Sequence, residues 1–225
     1  WPTLNRNGWL TFIGIYIQEN LAETPAEIIL ADSPDSTDEL KLLAVKKNCV
    51  YLRTKKAGRN FQMNQGAQLA KGDLLYFVHA DVIVNKDFVA DIKQALSEGY
   101  DMGAYRSQYT NYPHPLLYFN AFCTRFPSIW CRGGDQTLFI KKEVFEKLNG
   151  FCEEHAIMED YDILIRAKKN FKFKIIPKTV LISSRKYEKN GYWKVQKANY
   201  QIMRKWHKKE LSPSKLLQTY RSMLD

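Results

Sequence analysis

Leu74-Leu75-Tyr76-Phe77-Val78-His79-Ala80-Asp81 is an apolar run that ends on a histidine and an acid. The turn Lys71-Gly72-Asp73 opens it. Residues 74–78 read as a strand buried on both faces, because the apolar residues are continuous instead of alternating. In an open α/β sheet, chemistry lies just beyond the carboxyl ends of such strands. Asp81 occupies that position. A carboxylate there either holds a metal ion against an anionic ligand or caps the next helix. His79 either meets a metal or phosphate or is hydrogen-bonded in place.

The flanking segments repeat one rhythm. Strands at 27–31 and 49–53 alternate with helices at 39–46, 59–70 and 86–97, which means βαβ units and an α/β fold with a mostly parallel sheet. Residues 5–17 can form a helix with Trp9, Phe12, Ile13, Tyr16 and Ile17 on one face, or a strand over 11–17. The second half is less regular. A strand at 102–109 precedes Pro113 and Pro115, then an aromatic helix at 116–126. A short strand at 137–140 leads to a helix at 143–148 that Asn149-Gly150 terminates. A helix at 159–169, short strands at 172–176 and 179–183 around Pro177, and helices at 192–209 and 213–224 complete the chain. No repeat or low-complexity segment occurs.

The 225 residues allow one large or two small domains, and 45% hydrophobic content supports a sizeable core. No apolar run approaches the roughly 20 residues of a membrane span. No signal peptide is visible. Cys49, Cys123, Cys131 and Cys152 form no CxxC pair and read as mostly buried, reduced thiols of a cytoplasmic protein. Cys152 and His155 could serve zinc, but their spacing fits no standard ligand set. The net charge of +10 is uneven: residues 166–225 carry 17 Lys and Arg against 3 Asp and Glu. That basic block suits nucleic acid, an anionic membrane surface or a phosphate-bearing substrate, or it is a solvated helix.

Three further constellations could carry chemistry. Met158-Glu159-Asp160-Tyr161-Asp162 sits at a helix start, where the dipole favours carboxylates. Three acids in four positions exceed what capping needs, and one held near a metal-bound carboxylate can act as a general base. Gly133-Gly134-Asp135-Gln136 is a tight turn that brings an acid and an amide close to a ligand. Gly58 to Ala67 places Arg59, Gln62 and Asn64 near a helix N-terminus, a natural phosphate site that the planar fork of Arg59 suits.

In order along the chain, these pieces resemble family-2 glycosyltransferases of the GT-A fold. Pro2-Thr3-Leu4-Asn5 resembles the end of the first strand, which has no counterpart before Pro2. Asp32 to Asp38 resembles the VDGGSTD turn, His79-Ala80-Asp81 stands at the DxD motif, and Glu159-Asp160 resembles the ED motif. The resemblance is nearest to a bacterial arsenosugar-biosynthesis-type subgroup, through Gly58 to Gly66, His79 to Asp81, Gly134 to Gln136, Met158 to Asp162, Ser184-Arg185-Lys186, and Ser212-Pro213 with Leu216 and Tyr220. Asn5-Arg6 replaces the usual Asn-Glu, and His79 replaces the first acid of DxD.

The resemblance implies a GT-A domain over 1–190 and basic helices over 191–225. It implies a Mg²⁺- or Mn²⁺-dependent, inverting transfer from a nucleotide-diphosphate sugar, UDP-linked, to an acceptor hydroxyl. No QxxRW motif is present, so the transfer would be non-processive. Asp160 would be the base and Asp81 the metal ligand. Pro2, Thr3, Asn5, Asp32, Arg59, Asn64, His79, Ala80, Asp81, Arg185 and Lys186 would bind donor, the last two from a C-terminal loop. Asp135, Gln136, Glu159 and Asp162 would face the acceptor. The enzyme would be cytoplasmic, peripheral on an anionic membrane through residues 192–209, which mix aromatics with lysine. A nucleotide-binding relative without turnover is the quiet alternative. A nucleotidylyltransferase lacks its glycine-rich loop here, and a nucleic-acid-binding module leaves the acids unexplained.

Overall fold

The computed structural model describes residues 26–36 and 39–224. Pro2, Thr3, Asn5 and the segment expected over residues 5–17 lie outside them. The described chain opens with β1 (Ile29–Asp32), α1 (Glu39–Lys46), β2 (Val50–Arg53) and α2 (Arg59–Leu69). β1 and β2 form a parallel pair. Gly66 of α2 lies against Ile29 and Ala31 of β1, where an added Cβ would sit 4.0 and 3.9 Å from their side chains. Gln62 donates to the Ala31 carbonyl at 2.9 Å and fixes the same contact.

The chain continues through β3 (Leu74–Phe77), β4 (Val82–Ile83), α3 (Phe88–Ser97), β5 (Met102–Tyr109), α4 (Leu116–Cys123), β6 (Leu138–Lys141), α5 (Lys142–Lys147), α6 (Glu159–Ala167) and β7 (Phe173–Ile182). Three helices end the chain: α7 (Arg185–Asn190), α8 (Tyr192–His207) and α9 (Pro213–Leu224). A five-stranded sheet has the order β3-β6-β5-β7-β4. One core lies between this sheet and α2, α5 and α6, around Leu75, Met102, Ile140, Phe145 and Ile163. A second joins Val82, Tyr105, Phe139 and Val180 to Phe88 and Ile92 of α3.

The α/β architecture with its flanking and C-terminal helices is as the sequence indicated. The pairing is more mixed than the βαβ rhythm implied. β5 and β7 are parallel, whereas β6 runs antiparallel to both β3 and β5, and β4 runs antiparallel to β7. The reason is that β6 enters between β3 and β5 from the irregular segment after α4, not from a crossover helix.

β7 is one strand, not the expected two. Tyr105 pairs with Ile176 and Arg106 with Thr179, so Pro177 and Lys178 bulge out of the ladder. Proline has no N–H to donate, and a bulge absorbs it without ending the strand. Gly103 of β5 is required by close approach: a Cβ there would lie 2.4 Å from the Lys174 carbonyl oxygen and 2.5 Å from the Phe139 ring.

Candidate active site

β3 delivers His79-Ala80-Asp81 into a turn in which the Val82 N–H donates to the His79 carbonyl at 3.1 Å. Because β6 is antiparallel to β3, with Phe77 opposite Leu138, the residues leaving β3 lie beside those entering β6. Asp135, on the 3₁₀ turn Gly134–Gln136 just before β6, is thereby set near Asp81. β4 pairs with β7 through Val82 and Ile182, which brings Ser183 and Arg185 to the same edge.

The electrostatics report this meeting. Burial raises the Asp81 carboxyl above its ordinary value and the negative charge of Asp135 adds to the rise, while His79 and Arg185 oppose it. Burial disfavours the charged Arg59, but Glu159, Asp160, Asp135 and Asp81 together raise its pKa nonetheless. Four acids from three separate segments therefore converge on one guanidinium.

Glu159 is fully buried and lies 2.9 Å from the Arg59 guanidinium. Neither of its oxygens receives an aligned hydrogen bond. Burial first, and then the charge of Asp160, push its carboxyl up to about 7 against the pull of Arg59. Asp160 is half-buried, and none of the hydrogen bonds or ion pairs among the described residues engages its carboxylate.

The residues ahead of the acids are clamped. Asn64 of α2 donates to the Phe151 carbonyl at 2.8 Å and accepts from the Phe151 N–H at 2.9 Å. Asn60 donates to the Cys152 and Glu153 carbonyls at 3.2 and 2.9 Å. Arg166 holds the Leu148 and Gly150 carbonyls and is itself paired with Asp162 at 2.6 Å. Two non-glycine residues take left-handed conformations next to the acids: Thr137 at φ 62° after Gln136, and Met158 at φ 72° before Glu159. Such backbone costs about 1–3 kcal/mol and persists where its surroundings over-determine it.

The surroundings of the other expected site residues are as follows. Asn64, expected to bind donor, spends both ends of its amide on Phe151 and so fixes the loop. Asp162, expected to face the acceptor, is turned to Arg166, with His155 4.0 Å away. Gln136 is buried and donates to the Cys131 carbonyl at 2.7 Å, closing the turn inward. Arg185 and Lys186 begin helix α7 instead of lying on a loop; the helix forms because the Tyr187 and Glu188 N–H groups find the Ser184 carbonyl. They still reach the site, since Lys186 senses Asp135 and Arg59. Asp32 is buried at the end of β1, where its carboxylate accepts from Tyr51 Oη at 3.1 Å and the Ser33 N–H at 2.9 Å. None of the four half-buried cysteines forms a disulfide among the described residues, and no group of three or more His, Cys, Asp or Glu able to hold a metal occurs among them.

Sequence reasoning missed the aromatic wall of the site. Tyr161 is raised in pKa by burial, then by Asp160 and Asp135. Tyr220 of α9 is pushed up to about 12 by burial and by Asp135. Its hydroxyl donates to Asn199 Oδ1 at 3.0 Å, and the Lys186 ammonium lies 4.8 Å from its ring centroid. Burial lowers the pKa of that lysine. Met158, Ile202, Met203 and Leu216 form a cluster with Tyr161 and Tyr220 packed against it. The basic C-terminal helices therefore pack directly on the acidic helix start. The helical periodicity of residues 192–224 carried this signal, but only as a buried face without a partner.

Residues 2–148 match the family described as Glycosyl transferase family 2, and the chain belongs to that family. No curated protein matches the sequence. Among solved structures, the mannosyltransferase PcManGT from Pyrobaculum calidifontis, in complex with GDP-Man and Mn2+, superposes with a TM-score of 0.64 at 17% identity, over 99% of this chain and 66% of that one. S. aureus TarS 1-349 gives 0.59 at 16% identity, over 99% and 68%. HddC from Yersinia pseudotuberculosis gives 0.54 at 16% identity, over 80% and 83%. At these identities the likeness is one of fold, and this chain spans about two thirds of the length of the first two.

Proposed function

We propose that this chain transfers a sugar from a nucleotide-diphosphate donor, UDP-linked by resemblance, to an acceptor hydroxyl, with inversion and one residue at a time. The observation that carries the reading is the convergence of Asp81, Asp135, Glu159 and Asp160 around Arg59, at the sheet edge where β3 ends and β6 begins. Burial and the charge of the nearby, exposed Asp135 both raise the Asp81 carboxyl, a perturbation of the kind that clusters at functional sites.

Asp160 is the base in this reading. Its carboxylate is half-buried and uncommitted, whereas Glu159 is sealed behind Arg59. Asp160 takes the proton of the acceptor hydroxyl as that oxygen attacks the anomeric carbon and the bond to the diphosphate breaks. Glu159 keeps Arg59 in place. Arg59, Arg185 and Lys186 offer positive charge to the diphosphate, with His79 and Ala80 beside it, and Asp135 faces the acceptor. Pro2, Thr3, Asn5 and Asp32 are assigned to the nucleoside.

The residues fit a divalent cation in one respect: Asp81 is a half-buried carboxylate opposed by a second one, with no directly paired cation among the described residues. Asp81 would hold Mg²⁺ or Mn²⁺, with ligand phosphates completing an oxygen shell. When bound, the ion would stabilise the leaving diphosphate. Kinship with the arsenosugar-biosynthesis-type subgroup, the division at residues 190 and 191, and a cytoplasmic, membrane-peripheral setting belong to the same proposal.

The test is a thermal-shift and transfer assay with nucleotide sugars, with and without Mn²⁺. Asp160→Asn should lower transfer by a factor of about a hundred or more while donor still stabilises the protein. Asp81→Asn should remove the Mn²⁺-dependent part of that stabilisation. Equal loss of transfer and donor binding in Asp160→Asn refutes the base assignment.

A further inference from the structure

Helix α4 reads Leu-Leu-Tyr-Phe-Asn-Ala-Phe-Cys and carries no charged side chain; of its residues only Leu117 is buried. Tyr118 is 62% exposed, Phe119 61% and Phe122 46%. The exposed apolar surface continues through Phe126, whose ring lies 5.7 Å from that of Phe122, and on to the exposed Trp130. On its other flank α4 meets α8, where Tyr192 Oη donates to Asn120 Oδ1 at 3.2 Å. Trp193 follows, 69% exposed and 6.1 Å from His114. Trp193, Lys197 and Tyr200 then share the outer face of α8, three or four residues apart. A contiguous face of large exposed rings marks an interaction surface.

Charge selects the occupant. No Asp or Glu occurs between Asp101 and Asp135, and Arg125 in that stretch is exposed. The Arg125 guanidinium sits 4.7 Å from the Phe122 ring centroid, at the margin of the apolar face. Lys194 and Lys197 are exposed beside Trp193. Exposed rings with a rim of cations, and with Glu188 the acid at the Asn111 edge, match a bilayer interface, where the rings enter the headgroup boundary and the cations meet lipid phosphates. A second copy of the chain would set the same cations against one another.

We propose that the α4 face, with Phe126, Trp130 and Trp193, docks on an anionic lipid bilayer. This places the anchor on the exposed aromatics of α4 and its neighbours together with Trp193 of α8, and the lysines of α8 supply the rim. The inference stands apart from the transferase reading, since no residue of the acidic site takes part.

The experiment sediments the full chain with vesicles of phosphatidylcholine containing phosphatidylglycerol, and with phosphatidylcholine alone. The chain should pellet with the anionic vesicles. The double variant Phe119→Ser, Phe122→Ser should bind about tenfold or more weakly. Both side chains are exposed, so circular dichroism and thermal unfolding should match the parent. In the parent protein, brominated lipid should quench tryptophan fluorescence, a readout that needs no variant. Failure to pellet with anionic vesicles at low salt, or absence of quenching, overturns the proposal. So does undiminished binding of the double variant, which would make the basic block the anchor. A dimer in analytical ultracentrifugation that the double variant abolishes also overturns it, because a second copy then covers the face.

Discussion

Replacing Glu159 by glutamine should change how the stability of this protein depends on pH. The carboxyl is fully buried and held at about 7, against an ordinary value of 4.5. The groups facing it are Arg59 from α2, Asp160 from its own helix and Asp135 from the turn before β6. Burial and the two acids favour the neutral form and outweigh the guanidinium. Because the folded value lies above the unfolded one, the contribution to stability is fully present below pH 4.5. It is lost as pH rises through 7. At about 1.4 kcal/mol per tenfold change, the full loss is about 3 kcal/mol, of which about 2–3 kcal/mol falls between pH 5 and pH 8. Glutamine has the shape of the neutral acid and does not ionise. Urea denaturation of the parent and of Glu159→Gln at both pH values isolates the effect, since anything lost by weakening the Arg59 contact at pH 5 is common to the pair. The parent should lose about 2–3 kcal/mol relative to the variant between pH 5 and pH 8. Parallel pH profiles, or a parent that gains stability on the alkaline side, would show that Glu159 is not held as a buried near-neutral acid.

Two further substitutions probe the scaffold. Asn64→Ala removes both hydrogen bonds to the Phe151 backbone and leaves a buried N–H and a buried C=O unsatisfied, a cost of about 2–5 kcal/mol in chemical denaturation; a change confined to donor affinity would restore Asn64 to the binding site. Gly103→Ala drives a methyl group into the Lys174 carbonyl and the Phe139 ring, so it should lower stability by about 1–3 kcal/mol or more. A thermal midpoint equal to that of the parent would mean β5 and β7 separate more easily than the structure indicates.

The βαβ rhythm of residues 27–97 was legible because a strand buried on both faces shows as a continuous apolar run, and helices between such strands have few alternatives. The 74–78 run does form a strand, with Asp81 beyond its carboxyl end, but it is an edge strand antiparallel to β6 in which only Leu75 is buried, not one buried on both faces of a parallel sheet. The acidic helix start at Glu159 was legible for a similar local reason, since carboxylates favour a helix N-terminus. The partners of Asn64 and Asp162 were not legible, because residue type does not report direction. An asparagine one turn into a helix can serve a ligand or a loop, and only the position of Phe151 decides. Gln136 is a further instance: its amide turns inward because the Cys131 carbonyl lies within reach.

Local chemistry alone determined the strands, the helix starts and the candidate acids, because each follows from periodicity, capping or turn preference within a few residues. The tertiary structure decided which acids meet. Asp81 and Asp135 are neighbours because β6 inserts antiparallel between β3 and β5, an arrangement with no short-range signature. The fate of the basic C-terminal block was decided in the same way. Its charge is visible in composition, but packing of Ile202, Met203 and Leu216 around Met158 turns those helices into a wall of the acidic site. Hydrophobic burial has no direction and acts between surfaces far apart in the chain, so pattern alone identifies a face to be covered and the fold selects what covers it.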